Sequence, residues 1–197
     1  MDPYADITHL EKAKLTPARE ALTAAFLQLC RTKPFAAIGV TELCARAHVA
    51  RSTFYASYPN TDALLTEIED ALIVDQLAVI RHLPCAGDVV QESQEYLCHV
   101  MDFVRSHETT LSVLLVDQPD SRLIEKWKRV VKHHFWALVN DRADPQDVEL
   151  ELELIASMSV GAYTHILRTK ESPRSLERIT RALISTLSSL RRTPPLT

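Results

Sequence analysis

The stretch from Val40 to Leu65, VTELCARAHVARSTFYASYPNTDALL, leaves little freedom for what the chain can fold into. It divides into two short helical segments, Val40–Ala47 and Arg51–Tyr58, and a third begins at Pro59-Asn60-Thr61-Asp62, where a break meets a new cap. Helices of about eight residues do not persist alone in water, because nucleation fixes several residues for a single hydrogen bond. They need a surface to pack on, and the preceding segment supplies one. Thr16 can cap and Pro17 suits a first helical position. Ala18, Leu22, Ala25, Phe26 and Leu29 then share one face, and Pro34 ends the helix near Lys33. Phe26 and Leu29 are spaced to meet Leu43, Val49 and Phe54. The short turn Ala47-His48-Val49-Ala50 crosses the two helices steeply, with Val49 and Phe54 at the corner, which is a helix-turn-helix arrangement.

Once Phe54 and Tyr58 point inward, the helical period turns Arg51, Ser52, Tyr55 and Ala56 outward, with Thr53 and Ser57 at the flanks. A merely solvated helix carries Glu and Lys. Short hydroxylated side chains with one Arg and one Tyr permit close approach to a duplex and offer donors to phosphates and base edges. The net charge of −4 does not suggest a polyanion partner, but its distribution does. Residues 1–60 hold seven Lys/Arg against five Asp/Glu, and the remainder fifteen against twenty-one, so a mildly basic head sits on an acidic body.

The rest of the chain reads as helix. It has only three glycines, and no segment alternates apolar and polar residues, so no sheet is expected. Helix 4 runs to about Leu83, followed by a loop at Pro84–Asp88 and helices over about 89–106, 108–116, 121–140, 146–169 and 173–191. The expected architecture is all-α, about nine helices. Residues 1–15 are expected to be a flexible arm, 16–62 a three-helix head, 63–192 a helical body and 193–197 a disordered tail. Helix 146–169 is apolar nearly all round, so it is either a central core helix or one packed on the body and on a second copy of the chain. Gly161 and the small residues Ala156, Ser157 and Ser159 favour the second option, because they let another helix come close.

The opening stretch, preceded by LCRTKPFAAIG, resembles the DNA-binding region of TetR-family transcriptional regulators. The resemblance is carried by Lys33-Pro34-Phe35, by the run Val49-x-Arg51-Ser52-Thr53-Phe54-Tyr55-x-x-Tyr58, and by the Leu64-Leu65 pair, within residues 15–66. The segment LIASMSVGAYTHILRTKESPRSLERITRALI, residues 154–184, is similar to the C-terminal helix pair of one branch of that family. The resemblance implies an all-α homodimer whose last two helices, about 146–169 and 173–191, pair with those of a second copy. It also implies that Arg51, Ser52 and Thr53 reach base edges or nearby phosphates, and that Tyr55 contacts the backbone. Thr41 and Thr61 would hold flanking phosphates, with Ser57 at the edge of the same surface. Four positions depart from the family's usual pattern. Gly39 stands at a helix cap, His48 where the turn often has Gly, Ala50 where a capping side chain is common, and Thr61 where a Lys often grips phosphate. Fewer cations mean weaker binding and a shallower salt dependence.

These readings favour a sequence-specific regulator, expected to be a repressor on a palindromic double-stranded DNA operator and released by a small-molecule effector. The alternative is a helical co-regulator that keeps the fold and works through protein contacts. Tyr96, His99, Met101, Phe103, Trp127, His134, Trp136, Met158 and Tyr163 either line an effector pocket or belong to plain core. Catalysis is not expected. Glu108 beside His107, the His133-His134 pair and His165 have no partner set, and no phosphate-binding glycine loop or nucleophile elbow occurs. Cys30, Cys44, Cys85 and Cys98 form no C-x-x-C pair and no zinc spacing, so no metal or cofactor is expected. Reduced thiols, no leader pattern and no apolar run of the ~20 residues that span a bilayer fit a cytoplasmic protein.

Overall fold

The computed structural model describes residues 2–81, 102–139 and 145–169, with positions 99 and 178. Tyr96, Met101, the helix expected over 173–191, most of that over 89–106, the loop at 84–88, the tail and Cys85 and Cys98 lie outside the described residues. All regular structure among the described residues is helical.

Helix α1 spans Pro17–Cys30, with the Thr16 hydroxyl accepting from the Arg19 N–H and proline in the first turn. It stops a turn short of Lys33, because Thr32 N–H and Lys33 N–H both fold back on Leu29 O ahead of Pro34. A 3-10 turn at Phe35–Ala37 leads to α2, Val40–Ala47, and α3, Arg51–Ser57. Between α2 and α3, His48 adopts φ 53°, ψ 38°, the left-handed conformation that the turn demands and that glycine usually takes. Helix α4, Thr61–Arg81, is capped by Asn60, whose Oδ1 accepts from Ala63 N–H at 2.9 Å.

The body continues with a helical stretch at 102–106, then α5, Glu108–Ser112, which opens directly into a π-helical turn at Val113–Asp117. Helices α6, Ser121–Val139, and α7, Pro145–Thr169, form the most extensive helix pair among the described residues, and α4 packs against α6. Asp120 caps α6 by accepting from Arg122 N–H at 2.9 Å.

One continuous apolar core runs from the head into the body. It includes Leu22, Phe26, Leu43 and Phe54 at one end, Leu64 and Ile73 along α4, and Leu111, Leu114, Trp127 and Leu167 at the other. Because α4 contributes to both ends, the head and body are not separated by a linker.

Two expectations are corrected. The first residues are not a free arm. Ala5–His9 form a 3-10 helix that buries Tyr4 and Ile7. Tyr4 sits edge-on to Trp136 in a small cluster with Val148 and Leu152, and its hydroxyl donates to Glu149. Asp6 pairs with Arg129, and Asp2 with His133. The segment is too short to show a helical period, so only its partners on α6 and α7 reveal that it folds. The second correction concerns α7. Ala156 and Ser159 are buried in the protomer's own core, with Ser159 Oγ donating to Ile155 O, so they are not available for a close approach by another helix. Ser157 and Gly161 are the exposed small residues.

Candidate nucleic-acid interface

Phe54 is fully buried and Tyr58 is 2% exposed, which orients the rest of α3. Arg51, Ser52, Thr53, Tyr55, Ala56 and Ser57 are all exposed, and Tyr55 stands 50% open to solvent. Its ring meets the Phe54 ring edge-on at 5.5 Å, so the exposed phenol rises from a rigid base. Thr41 is exposed in the first turn of α2, and Thr61 is half-buried at the start of α4.

What holds α3 in place was not legible in the sequence. The Tyr58 hydroxyl donates to Glu67 Oε1 at 2.5 Å, and Arg19 Nη1 binds Glu67 Oε2 at 2.6 Å. The Arg19 guanidinium also lies over the Tyr58 ring, 5.3 Å from its centroid. Residues of α1, α4 and the end of α3 are thus tied at one point, immediately after the exposed face. Burial, and then the Glu67 carboxylate, push the Tyr58 phenol well up, so it stays protonated and remains a donor.

The charges around α3 are arranged unevenly. No carboxylate pairs with Arg51 among the described residues. Lys33 is tied to Glu42 at 2.6 Å, and Arg46 Nε donates to Gln28 at 3.2 Å. Asp62, the acid beside Thr61, is neutralised by Arg122 of α6 at 2.9 Å. Arg122 and Lys126 also reach Glu69, a fully buried carboxylate on α4, at 2.9 and 2.8 Å. Burial pushes the Glu69 carboxyl up, and the Lys126 ammonium pulls it back. Cys44 lies beneath this surface, its thiol raised by burial and lowered by Arg51.

Gln118, at the end of the π-helical turn, reaches across to the head. Its Oε1 accepts from Phe35 N–H at 2.9 Å, and its Nε2 donates to Lys33 O at 2.7 Å and to Cys30 O. Nothing in the sequence marks a contact over so many residues. Only the break at Gln118-Pro119-Asp120-Ser121 is visible there.

In the body, three of the candidate effector residues come together. The Trp127 ring packs edge-on to Phe103 at 5.6 Å and lies 5.1 Å from Tyr163, and all three are buried. Met158 and His134 are half-buried, and His99 is exposed. Trp136 instead packs on Tyr4. Burial, and then His133, lower the His134 imidazole to about 4, so it is neutral at pH 7. Two polar atoms of the body, Trp127 Nε1 and Gln76 Oε1, are buried without a hydrogen-bond partner among the described residues. His107, considered above for acid–base work, is held by Asp75 at 2.9 Å and by Phe103 O at 3.0 Å. Among the described residues no group of His, Cys, Asp or Glu could hold a metal ion, and no helix is long and apolar enough to cross a membrane.

No family model and no curated protein matches the chain. Solved structures do. A TetR-family transcriptional regulator from Streptomyces coelicolor is 19% identical, with a TM-score of 0.61 over 90% of this chain and 82% of that one. The fatty acid degradation regulator FadR from Bacillus halodurans is 12% identical, with a TM-score of 0.65 over 87% and 97%. A TetR transcriptional regulator from Streptococcus agalactiae is 18% identical, with a TM-score of 0.59 over 85% and 93%. These are regulators rather than enzymes, and the likeness spans head and body together. The fold of this chain is that of the TetR-family transcriptional regulators.

Proposed function

We propose that this chain is a sequence-specific DNA-binding transcriptional regulator, a homodimeric repressor of a palindromic operator released by a small molecule. The observation that carries the reading is the face of α3: Arg51 without a carboxylate partner among the described residues, short hydroxyls and an exposed Tyr55, all set on a buried Phe54 and Tyr58. Arg51, Ser52 and Thr53 read base edges, while Tyr55, Ser57, Thr41 and Thr61 position phosphates. A twofold dimer presents two such helices to successive major grooves about 34–36 Å apart.

The outer face of α7 supports the dimer. Leu150 and Leu154 are 59% and 45% exposed, and Ser157 and Gly161 follow at helical spacing. Large apolar side chains left in water beside small ones suit a second helix. Effector binding is supported by the indole N–H of Trp127 and the carbonyl of Gln76, buried without a hydrogen-bond partner among the described residues. An unpaired buried group of this kind costs about 1–3 kcal/mol, so a ligand that supplied a partner to either would gain affinity.

The test is selection of bound duplexes from a random pool, followed by affinity measurement on the winner. An inverted repeat is expected. Arg51→Ala is expected to weaken binding about 10- to 100-fold and relax specificity at one position of each half-site. Failure to enrich any sequence above background would overturn the reading.

A further inference from the structure

The loop that enters α2 and α3 is hydrogen-bonded from the body by the Gln118 side chain. The Gln118 amide accepts from the Phe35 N–H and donates to the carbonyls of Lys33 and Cys30. A primary amide carries an acceptor and two donors in one plane. Glutamate would lack the donors and lysine the acceptor. Beside this clamp, a cleft of about 370 Å³ separates Phe35, Thr61 and Leu65 from Pro119 and Arg122. Polar bridges join head and body near it, Gln118 to the loop and Arg122 to Asp62, in addition to the shared apolar core.

The position of Gln118 is itself set by an unusual backbone. It directly follows the π-helical turn Val113–Asp117, and its own N–H bonds to Val113 O at 2.9 Å. Such turns hold one residue more than an α-helical turn, are rare, and occur frequently at functional sites. Returning the segment to α-helical register would rotate later side chains by about 100°, which would swing the amide off the loop. Val113, Leu114 and Leu115, which form the turn, are at most 2% exposed and lie in the same core as Phe103, Trp127 and Tyr163. A change of packing in that core therefore bears on the turn, and the turn aims Gln118.

We propose that Gln118 is the positioning residue through which the body fixes the reading head, and that the π-helical turn is the element that sets or releases it. The functional consequence rests on the DNA-binding reading above; the clamp itself does not. The first readout is amide exchange in the whole chain. The Phe35 amide, whose partner is Gln118, is expected to exchange roughly tenfold faster in Gln118→Ala. The amides of Leu43 and Phe54, bonded to Gly39 O and Ala50 O, are expected to keep their rates. Gln118→Asn keeps the amide but shortens the reach, and is expected to behave as the alanine variant does. Unchanged protection of Phe35, or acceleration shared by Leu43 and Phe54, would overturn the proposal. The second readout uses a duplex selected by the wild-type chain. Gln118→Ala is expected to bind it about tenfold more weakly, by lowering the competent fraction, and to select the same sequence. Equal affinity would overturn the coupling. If the wild-type chain selects no duplex, the DNA-binding reading fails while the exchange readout still decides the clamp.

Discussion

Tyr58→Phe removes one oxygen atom from the point where α1, α3 and α4 are tied, and its cost follows from the geometry. The lost hydrogen bond is 2.5 Å long and runs to a carboxylate. Hydrogen bonds to charged groups contribute roughly 1.5–3 kcal/mol net. Two features set the value near the lower end. The Glu67 side chain is 24% exposed, so water can replace part of the loss. Arg19 also keeps its bond to the other carboxylate oxygen at 2.6 Å, so Glu67 is not left unpaired. The phenylalanine ring still fills the site, which adds no cavity term. The expected destabilisation is about 1.5 kcal/mol, close to tenfold in the folding equilibrium. Urea unfolding at one fixed chain concentration measures it, with an unchanged slope showing that the same surface is exposed. A cycle with Glu67→Gln is expected to give a coupling of about 1 kcal/mol. A loss under about 0.3 kcal/mol, or strict additivity in the cycle, would show that the Tyr58–Glu67 contact does not hold α3.

Other substitutions test the local chemistry. Ala50 sits at the N-cap of α3 with extended backbone and offers no capping side chain, so Ala50→Ser is expected to add about 1 kcal/mol to stability by urea unfolding. His48→Gly relieves a left-handed side chain and is expected to stabilise by about 0.5–1 kcal/mol in the same assay. A Cβ at Gly161 would meet nothing within 4 Å among the described residues, so Gly161→Leu is expected to weaken the proposed dimer tenfold or more in analytical ultracentrifugation while circular dichroism keeps its helix content. His134 has a folded pKa lowered to about 4, so the folded state binds fewer protons there than the unfolded chain. Its contribution is present above about pH 6.5 and is lost as pH falls toward 4, roughly 1–2 kcal/mol by pH 5. His134→Phe is expected to flatten that slope.

The head was legible because its signals are local. Thr16-Pro17, Pro34 and the inward pair Phe54 and Tyr58 fix helix ends and faces within a few residues of themselves. The left-handed His48 was signalled by the family resemblance, which often has Gly at that position, and not by local spacing. The supports of the same surface were not legible. Glu67 reads as an ordinary exposed helix acid, and only the fold brings it to Arg19 and Tyr58. Gln118 reads as a helix breaker, and its three partners lie more than eighty positions away. Residues 2–9 looked free because a single 3-10 turn has no periodicity to detect, and its stability comes from Trp136, Arg129 and Glu149. In the body, aromatic spacing pointed to Phe103, Trp127 and Tyr163, which do meet. Spacing alone could not separate them from Trp136, which packs on Tyr4.

The most direct measurement is a map of backbone amide shifts as a selected duplex is titrated into the labelled chain. The largest changes are expected at Arg51–Ser57, with Thr41 and Thr61 beside them, and little change at exposed positions of α7 such as Leu150. Shifts concentrated on the body, with α3 unmoved, would contradict the claim that this helix reads DNA.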